Sequence, residues 1–240
     1  MHSMQHYRVK EWFKRGGDKN YRYNYNLNQR SIVVDAGGYK GDFAFEIHRL
    51  YNSYIHIFEP VPEYFNILLE RFVKFPKIKV YPYALGKIDR QIHMSISNDG
   101  SSLYKSNGSP VHIQEVSTSK KFDEIGLRNV DLFKINVEGS EYDILEDLDN
   151  ANWIKRIKDI QIQFHDFVEN PDAKLIESHT ILKKTHMPTY AFKFVWENWT
   201  KNKLLSKYLS DPFIHLELSE LHEKVAFMDK MIADMREENK

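Results

Sequence analysis

The chain has 240 residues, with 34 lysines and arginines balanced by 34 aspartates and glutamates, and no cysteine. This length predicts one large domain or one domain with appendages, and zero net charge gives no reason to expect a nucleic-acid partner. The lack of cysteine excludes disulfides and thiolate chemistry. No apolar run approaches the roughly 20 residues that span a bilayer, and residues 1–17 show no signal-peptide core. We therefore expect a soluble, cytoplasmic protein.

Residues 1–30 predict a lead-in segment. A short helix over residues 6–15 would place Val9, Trp12 and Phe13 on one face, and residues 21–30 are rich in tyrosine and asparagine. We favour the interpretation that this segment covers one edge of the sheet. The alternative is that its tyrosines help to line a substrate cleft.

The region from Ser31 to Pro60 predicts a strand, a glycine turn, a helix and a second strand. Residues 32–34 are a short β-branched run typical of a buried strand, residues 43–51 are apolar at helical spacing, and residues 54–58 form the second run. The positions that carry chemistry here are Asp35, Gly37, Gly38, Gly41, Glu59 and Pro60.

This pattern is typical of half a nucleotide-binding unit. Glycines let the backbone approach a ligand closely, and the helix start offers free N–H groups. An acid that closes the second strand can accept hydrogen bonds from ribose hydroxyls, and it follows Asp35 by 24 residues, near the spacing expected in such units. The alternative is a tight turn with a solvated acid at each strand end.

The rest of the chain continues the alternation of strands and helices. We predict helices over residues 62–75, 119–125, 141–149 and 172–186, and strands over residues 78–85, 90–97, 111–116, 130–137, 160–164 and 190–196, with a weaker final strand after residue 197. The turn-rich loop Asn98–Pro110 is long enough to be functional. Residues 216–240 predict a helical tail.

Alternating strands and helices predict a doubly wound α/β domain over residues 31–215. Ligands in such sheets bind outside the carboxyl ends of the strands. The strand ends carry Asp35, Glu59, Ala84, Leu85, Asn136, Glu138, His165 and Asp166. We therefore expect these residues along one edge of the sheet.

Five blocks in order then resemble a known family. VVDAGGYKGDFAFEI, IFEPVPEYFNIL, YALG, NDGSSLY and VDLFKINVEGSEYDIL are similar to the FkbM family of S-adenosylmethionine-dependent methyltransferases. The resemblance implies a class I, Rossmann-like methyltransferase sheet of seven strands, mostly parallel with an antiparallel last strand. It also implies O-methylation of a hydroxyl on a sugar, a glycan or a secondary metabolite, and S-adenosyl-L-methionine as the cofactor.

The resemblance implies roles only where the motifs match. Asp35 and the glycines at 37, 38 and 41 match the block that holds the methionine part of the cofactor, and Glu59, followed by Pro60, matches the ribose acid. Ala84 and Leu85 match the segment near the adenine. Ser101 and Ser102 belong to the NDGSSLY block and are either cofactor contacts or turn residues only. Glu138 matches the VEG signature, and Lys134 precedes it.

One departure from the family stands out. Asn136 replaces the aspartate common in K-I-D-V-E-G, and an amide keeps an acceptor oxygen but loses charge and basicity. Asn136 therefore stays a cofactor-binding candidate, while a base is expected elsewhere. His165, Glu138 and Lys134 are the catalytic candidates. We prefer His165 as the base because its ordinary pKa lies near 6.5, and we expect Glu138 to orient cofactor or acceptor. No metal ligand is predicted.

Two other function classes stay open. A nicotinamide-dependent oxidoreductase would use the same first unit, but Ala36 stands where its glycine motif needs glycine. A degenerate methyltransferase fold kept as a binding or scaffold protein is favoured only by Asn136. The expected partner is a small-molecule or glycan acceptor. The tail helix is expected to dock either on the domain or on a partner, which leaves open a homo-oligomer formed through this helix.

Overall fold

A computed structural model of the chain describes residues 2–97, 100–102 and 109–202. Most of the loop Asn98–Pro110 and all of the expected tail helix at residues 216–240 lie outside the described residues. Within the described part, no helix is long and apolar enough to cross a membrane.

The elements alternate along the chain as expected. The helices are α1 (His2–Lys14), α2 (Gly17–Asn20), α3 (Asp42–Tyr51), α4 (Pro62–Phe72), α5 (Thr118–Glu124), α6 (Glu141–Asn150) and α7 (Pro171–Lys183). The strands are β1 (Ile32–Ala36), β2 (Tyr54–Phe58), β3 (Ile78–Tyr81), β4 (Ala84–Gly86), β5 (Arg90–Ser97), β6 (Gly100–Ser102), β7 (Ser109–Ser117), β8 (Val130–Ile135), β9 (Ile157–Ile162), β10 (His186–Phe192) and β11 (Trp196–Lys201).

Seven strands form the main sheet in the order β10-β11-β9-β8-β1-β2-β3. Neighbouring strands from β9 to β3 are parallel, and β11 runs antiparallel to both β9 and β10. This confirms the mostly parallel sheet with an antiparallel last strand. The carboxyl ends of β2, β1, β8 and β9 therefore lie side by side along one edge.

Alternate residues of the central strands enter two cores on opposite faces of the sheet. Val34 and Phe133 pack in the larger core with helix α6, whereas Val33 and Leu132 pack in a second core with α3 and α4. Because each strand is apolar on both faces, it reads as a continuous apolar run. Because both faces of the sheet are buried, the position of each strand end along the strand direction is fixed.

A small second sheet corrects one predicted strand. Residues 78–85 were expected to form a single strand, but β3 ends at Tyr81 and Pro82 follows it. Ala84 and Leu85 belong to β4, which pairs with β7 in a sheet of order β4-β7-β5-β6. Proline cannot donate a ladder hydrogen bond, so the chain leaves the first sheet there.

The expected strand over residues 190–196 is also wrong. Strand β10 ends at Phe192 and β11 begins at Trp196, and the backbone N–H of Val195 donates to the carbonyl of Phe192 in a tight turn between them. Phe194, in that turn, has a φ of 57°. The aromatic run therefore spans a hairpin instead of one strand.

The lead-in segment packs on the face of β9 and β11. The Tyr25 hydroxyl donates to Oδ1 of Asn198 at 3.1 Å, and Nζ of Lys158 donates to the carbonyl of Asn26 at 2.8 Å. Trp12 is buried against Trp196, whereas Phe13 is exposed. Residues 21–26 thus cover part of the sheet and, as described below, also line a cavity.

Candidate functional site

Strand β1 ends in a buried ion pair. Asp35 is fully buried, and Nζ of Lys134 in the adjacent strand donates to its Oδ1 at 2.8 Å. The same ammonium donates to the carbonyls of Ala36 at 3.2 Å and Gly37 at 2.6 Å. Within the described residues, Oδ2 of Asp35 has no hydrogen-bond partner. The pair leaves one acceptor oxygen beside the glycine turn.

The glycine turn passes tightly over the end of β8. Gly37 has a φ of 79°, and a Cβ there would lie 1.9 Å from the carbonyl oxygen of Asn136. The backbone N–H groups of Gly37 and Gly38 both donate to the carbonyl of Phe58, at 2.9 and 3.3 Å. Gly41 begins α3 with a φ of 84°. Only glycine at position 37 lets the two strand ends approach this closely.

Glu59 lies at the end of β2 and is almost completely buried. Its Oε2 accepts the backbone N–H of Tyr39 at 2.8 Å and its Oε1 that of Val61 at 2.9 Å. Burial raises the pKa of Glu59 from 4.5 to about 7, because the two backbone bonds offset only part of the desolvation. Pro60 follows and directs the chain into α4. The carboxyl group is therefore tied to the glycine turn and close to titration at neutrality.

The turn after β8 holds three carboxyl and imidazole groups together. Nδ1 of His165 lies 2.8 Å from Oε1 of Glu141, and its Nε2 lies 3.6 Å from Oε1 of Glu138. The Tyr142 hydroxyl donates to the carbonyl of His165 at 2.8 Å. Glu138 has a φ of 57°, an uncommon conformation for a residue with a side chain. The helix and the next strand end thus both position this cluster.

The histidine does not titrate near neutrality as the sequence suggested. Burial lowers the pKa of His165, but the charges and hydrogen bonds of Glu141 and Glu138 outweigh burial and raise the pKa to about 10. The imidazole is therefore protonated at neutral pH and cannot accept a proton there. This corrects the reason for preferring His165 as the base.

Two residues of this edge were missed by sequence reasoning. Glu141 is fully buried, and its carboxylate accepts the backbone N–H groups of Val137 and Gly139, each at 3.0 Å. An acid in the first turn of a helix usually interacts only with the helix dipole. The sequence therefore gave no sign that Glu141 accepts backbone N–H groups of the preceding turn. Tyr39 has a φ of 48° and packs its exposed ring edge-to-face on Tyr64 at 4.6 Å.

Of the remaining candidate residues, Asn136 lies at this edge of the main sheet, whereas the other four lie in strands β4 and β6 of the second sheet. Asn136 follows β8, donates its N–H to the carbonyl of Ala36 at 3.1 Å, and has a buried Oδ1 without a partner among the described residues. Ala84 packs in a small cluster with Val61, whereas the Leu85 side chain is buried in the larger core. Ser101 and Ser102 lie in β6, paired with β5.

Comparisons with known proteins find similarity to methyltransferases. A family model described as methyltransferase FkbM domain matches residues 35–196. Methyltransferase 1 of Beauveria bassiana (strain ARSEF 2860) is 29% identical over a region that covers 51% of this chain and 60% of that protein. The chain thus matches less than two thirds of this relative's length.

Solved structures with a similar chain course include two methyltransferases. A precorrin-6y C5,15-methyltransferase from Geobacter metallireducens aligns with a TM-score of 0.41 and 16% identity, covering 69% of this chain and 67% of that one. An rRNA methylase from Streptococcus thermophilus aligns with a TM-score of 0.44 and 10% identity, covering 74% and 90%.

Proposed function

Because this chain belongs to the FkbM methyltransferase family, we propose that it is an S-adenosylmethionine-dependent O-methyltransferase whose acceptor is a hydroxyl of a sugar, a glycan or a secondary metabolite. The observation that carries the proposal is the meeting of a glycine turn with two buried carboxyl groups, Asp35 and Glu59, at adjacent strand ends. That combination supports binding of a ligand with an ammonium group and a ribose.

The residues present fit this cofactor. Oδ2 of Asp35 and Oδ1 of Asn136 are buried acceptors without partners among the described residues, and buried acceptors of this kind call for a donor. An amino group supplies such donors. Each oxygen of Glu59 accepts one backbone N–H and keeps a second lone pair for a ribose hydroxyl. Asp35, Gly37, Gly38, Asn136 and Glu59 would hold the cofactor.

The bound cofactor would supply an electrophilic methyl group. The task left to the chain is to take the proton of the attacking hydroxyl, because a neutral alcohol is a poor nucleophile near pH 7. We assign that role to Glu138. His165, as a cation between Glu138 and Glu141, orients the Glu138 carboxylate, and Lys134 fixes the glycine turn through its carbonyl contacts.

The proposed class of acceptor is inferred from the net charge of the chain. With 34 basic and 34 acidic residues, the chain has no net positive charge to attract a polyanion such as nucleic acid, which supports a small-molecule or glycan acceptor. Because the chain belongs to a methyltransferase family, its first strand–turn–helix unit no longer favours a nicotinamide-dependent oxidoreductase. The scaffold alternative keeps one supporting observation, the amide at position 136.

The test has two stages. Calorimetric titration should show binding of S-adenosylmethionine and S-adenosylhomocysteine and none of NAD. Release of S-adenosylhomocysteine is then measured with panels of sugars, phenolic and aliphatic alcohols, and RNA. Turnover with a hydroxyl compound supports the proposal. Binding without turnover on any panel would favour the scaffold, and turnover on RNA alone would overturn the proposed acceptor class.

A further inference from the structure

A cavity of about 360 Å³ lies between the lead-in segment and strands β9, β10 and β11. Its eleven lining residues are four asparagines, three tyrosines, two threonines, one lysine and one aspartate. Every lining side chain therefore carries a hydrogen-bonding or charged group, and none is aliphatic.

The cavity is electrically neutral. The two charged lining residues face each other, with Nζ of Lys158 3.7 Å from Oδ2 of Asp159, and Lys158 also donates to the carbonyl of Asn26. Burial raises the pKa of Tyr25 well above 10 and that of Tyr190 to about 12, so both hydroxyls keep their protons. Lys158 and Asp159 offset each other, so the lining carries no net charge that would favour a phosphate or another strongly charged ligand.

The lining is held in place before any ligand arrives. Tyr21 and Tyr190 pack ring on ring at 5.1 Å, and both lie 5.8 Å from the buried ring of Trp12. The Tyr25 hydroxyl donates to Asn198, whose Nδ2 donates to Oγ1 of Thr189 at 2.8 Å. A preformed wall of this kind loses little conformational entropy on binding.

A buried amide links the cavity to the sheet. Nε2 of Gln161 lies 2.6 Å from the hydroxyl of Tyr25 and 3.2 Å from that of Tyr190. The residue is fully buried, yet its Oε1 has no partner in the described part of the chain. Gln161 is not itself a lining residue, so it holds the two lining hydroxyls from behind, and its free acceptor is a position for a buried water molecule.

The cavity is separate from the strand-end site. In the sheet register, Asp35 stands beside Lys134, Lys134 beside Gln161 and Gln161 beside Asn198. Three strand spacings place Asn198 about 14 Å from Asp35. Asp159 lies further down β9, away from the carboxyl end of the strand.

We propose that this cavity is a second binding site, for a neutral saccharide. Amide and hydroxyl side chains supply both donors and acceptors, as a dense set of sugar hydroxyls requires. Tyrosine rings offer flat apolar surfaces to the C–H faces of a sugar ring and keep a polar end. The saccharide would bind here without cofactor, so this site does not depend on methyl transfer.

The test is retention of the full chain on an array of neutral oligosaccharides, without cofactor, followed by titration of the best ligand. We expect retention of at least one of them. Tyr25→Phe should weaken binding about tenfold or more, and Asn24→Ala, at an exposed lining position, roughly fivefold. Asn66→Ala, an exposed asparagine on α4, is the matched control and should leave affinity unchanged.

Three outcomes would overturn the site. One is no retention beyond that of an unrelated protein. Another is equal affinity for parent, Tyr25→Phe and Asn24→Ala. The third is binding of neutral peptides at the same residues in place of sugars. Saccharide binding that persists in Glu59→Ala separates this site from the cofactor site, so either proposal can fail alone.

Discussion

The two turns at the sheet edge are built differently. The turn after β1 is fastened by other elements: the carbonyl of Phe58 accepts its N–H groups, and the ammonium of Lys134 holds its carbonyls. The turn after β8 is fastened by the helix that follows it, because Glu141, the first residue of α6, accepts the N–H groups of Val137 and Gly139. In both turns a carboxylate accepts backbone amides, that of Glu59 in the first and that of Glu141 in the second, but the first also has Oδ2 of Asp35 without a partner among the described residues.

The two turns are alike in their residues with positive φ, since each combines a glycine with a residue that carries a side chain. The first turn begins with glycine at position 37, which adopts a φ of 79° without strain. The first turn also contains Tyr39 at 48°, and the second contains Glu138 at 57°; each left-handed residue with a side chain costs roughly 1–3 kcal/mol. We interpret the first turn as a cradle for ligand and the second as a support that directs one carboxylate.

Changing Glu138 should have the largest effect. Glu138→Gln keeps the shape of the side chain but cannot accept a proton, so turnover should fall by roughly 10²–10⁴, while cofactor affinity stays unchanged. Steady-state rates and calorimetric titration measure the two. Glu177→Gln, an exposed change on α7, is the control. Parental turnover in Glu138→Gln would remove the proposed base.

The corresponding change in the first turn should act on binding. Glu59→Ala removes a charged acceptor and should cost about 1.5–3 kcal/mol, or roughly ten- to a hundredfold in cofactor affinity. Glu63→Ala, exposed at the start of α4, is the matched control. Thermal unfolding of both variants checks that the loss is not unfolding, and an unchanged dissociation constant would refute the ribose role.

The same residue predicts a pH dependence. Since the pKa of Glu59 is raised to about 7, its carboxylate is protonated below that pH and accepts hydrogen bonds less well. Cofactor affinity of the parent should therefore fall as pH decreases through 7 and level off above it. The Glu59→Ala profile should be flat over this range. A flat profile in the parent would contradict the assignment.

His165, which contacts the second turn, should make the free energy of unfolding depend on pH. Its folded pKa, about 10, lies above the unfolded value near 6.5, so its contribution is complete below pH 6.5 and is lost as pH rises through 10. Between these values, one proton changes the unfolding free energy by about 1.4 kcal/mol per pH unit. Urea unfolding of parent and His165→Gln should converge at high pH, whereas the exposed control His112→Gln should follow the parent throughout.

The smallest effect concerns Tyr39. Tyr39→Asn should change the unfolding free energy by less than about 1 kcal/mol, because asparagine tolerates positive φ and this relief offsets the lost contact with Tyr64. Tyr54, with the same 47% exposure but in a strand, should lose more on the same substitution. A larger loss at Tyr39 than at Tyr54 would show that the aromatic pair dominates.

The parallel core was predictable because apolar runs such as residues 32–34 are unambiguous when both faces of a strand are buried. The hairpin at Phe192–Trp196 was not, because its turn contains neither glycine nor proline. The position of Glu59 at a strand end was predictable from the apolar run that precedes it. The raised pKa of His165 could not be predicted from the sequence, because it depends on Glu141, a neighbour 24 positions away in the chain.

The buried contact between Lys134 and Asp35 also limits which substitutions evolution can accept at these two positions. The two residues are 99 positions apart, yet replacing either one alone leaves the other as an uncompensated buried charge, which is strongly destabilising. Replacing both by apolar residues of similar volume can be far milder. Selection therefore meets epistasis between the two positions, and lineages that abandon this pair are expected to have lost both members instead of one.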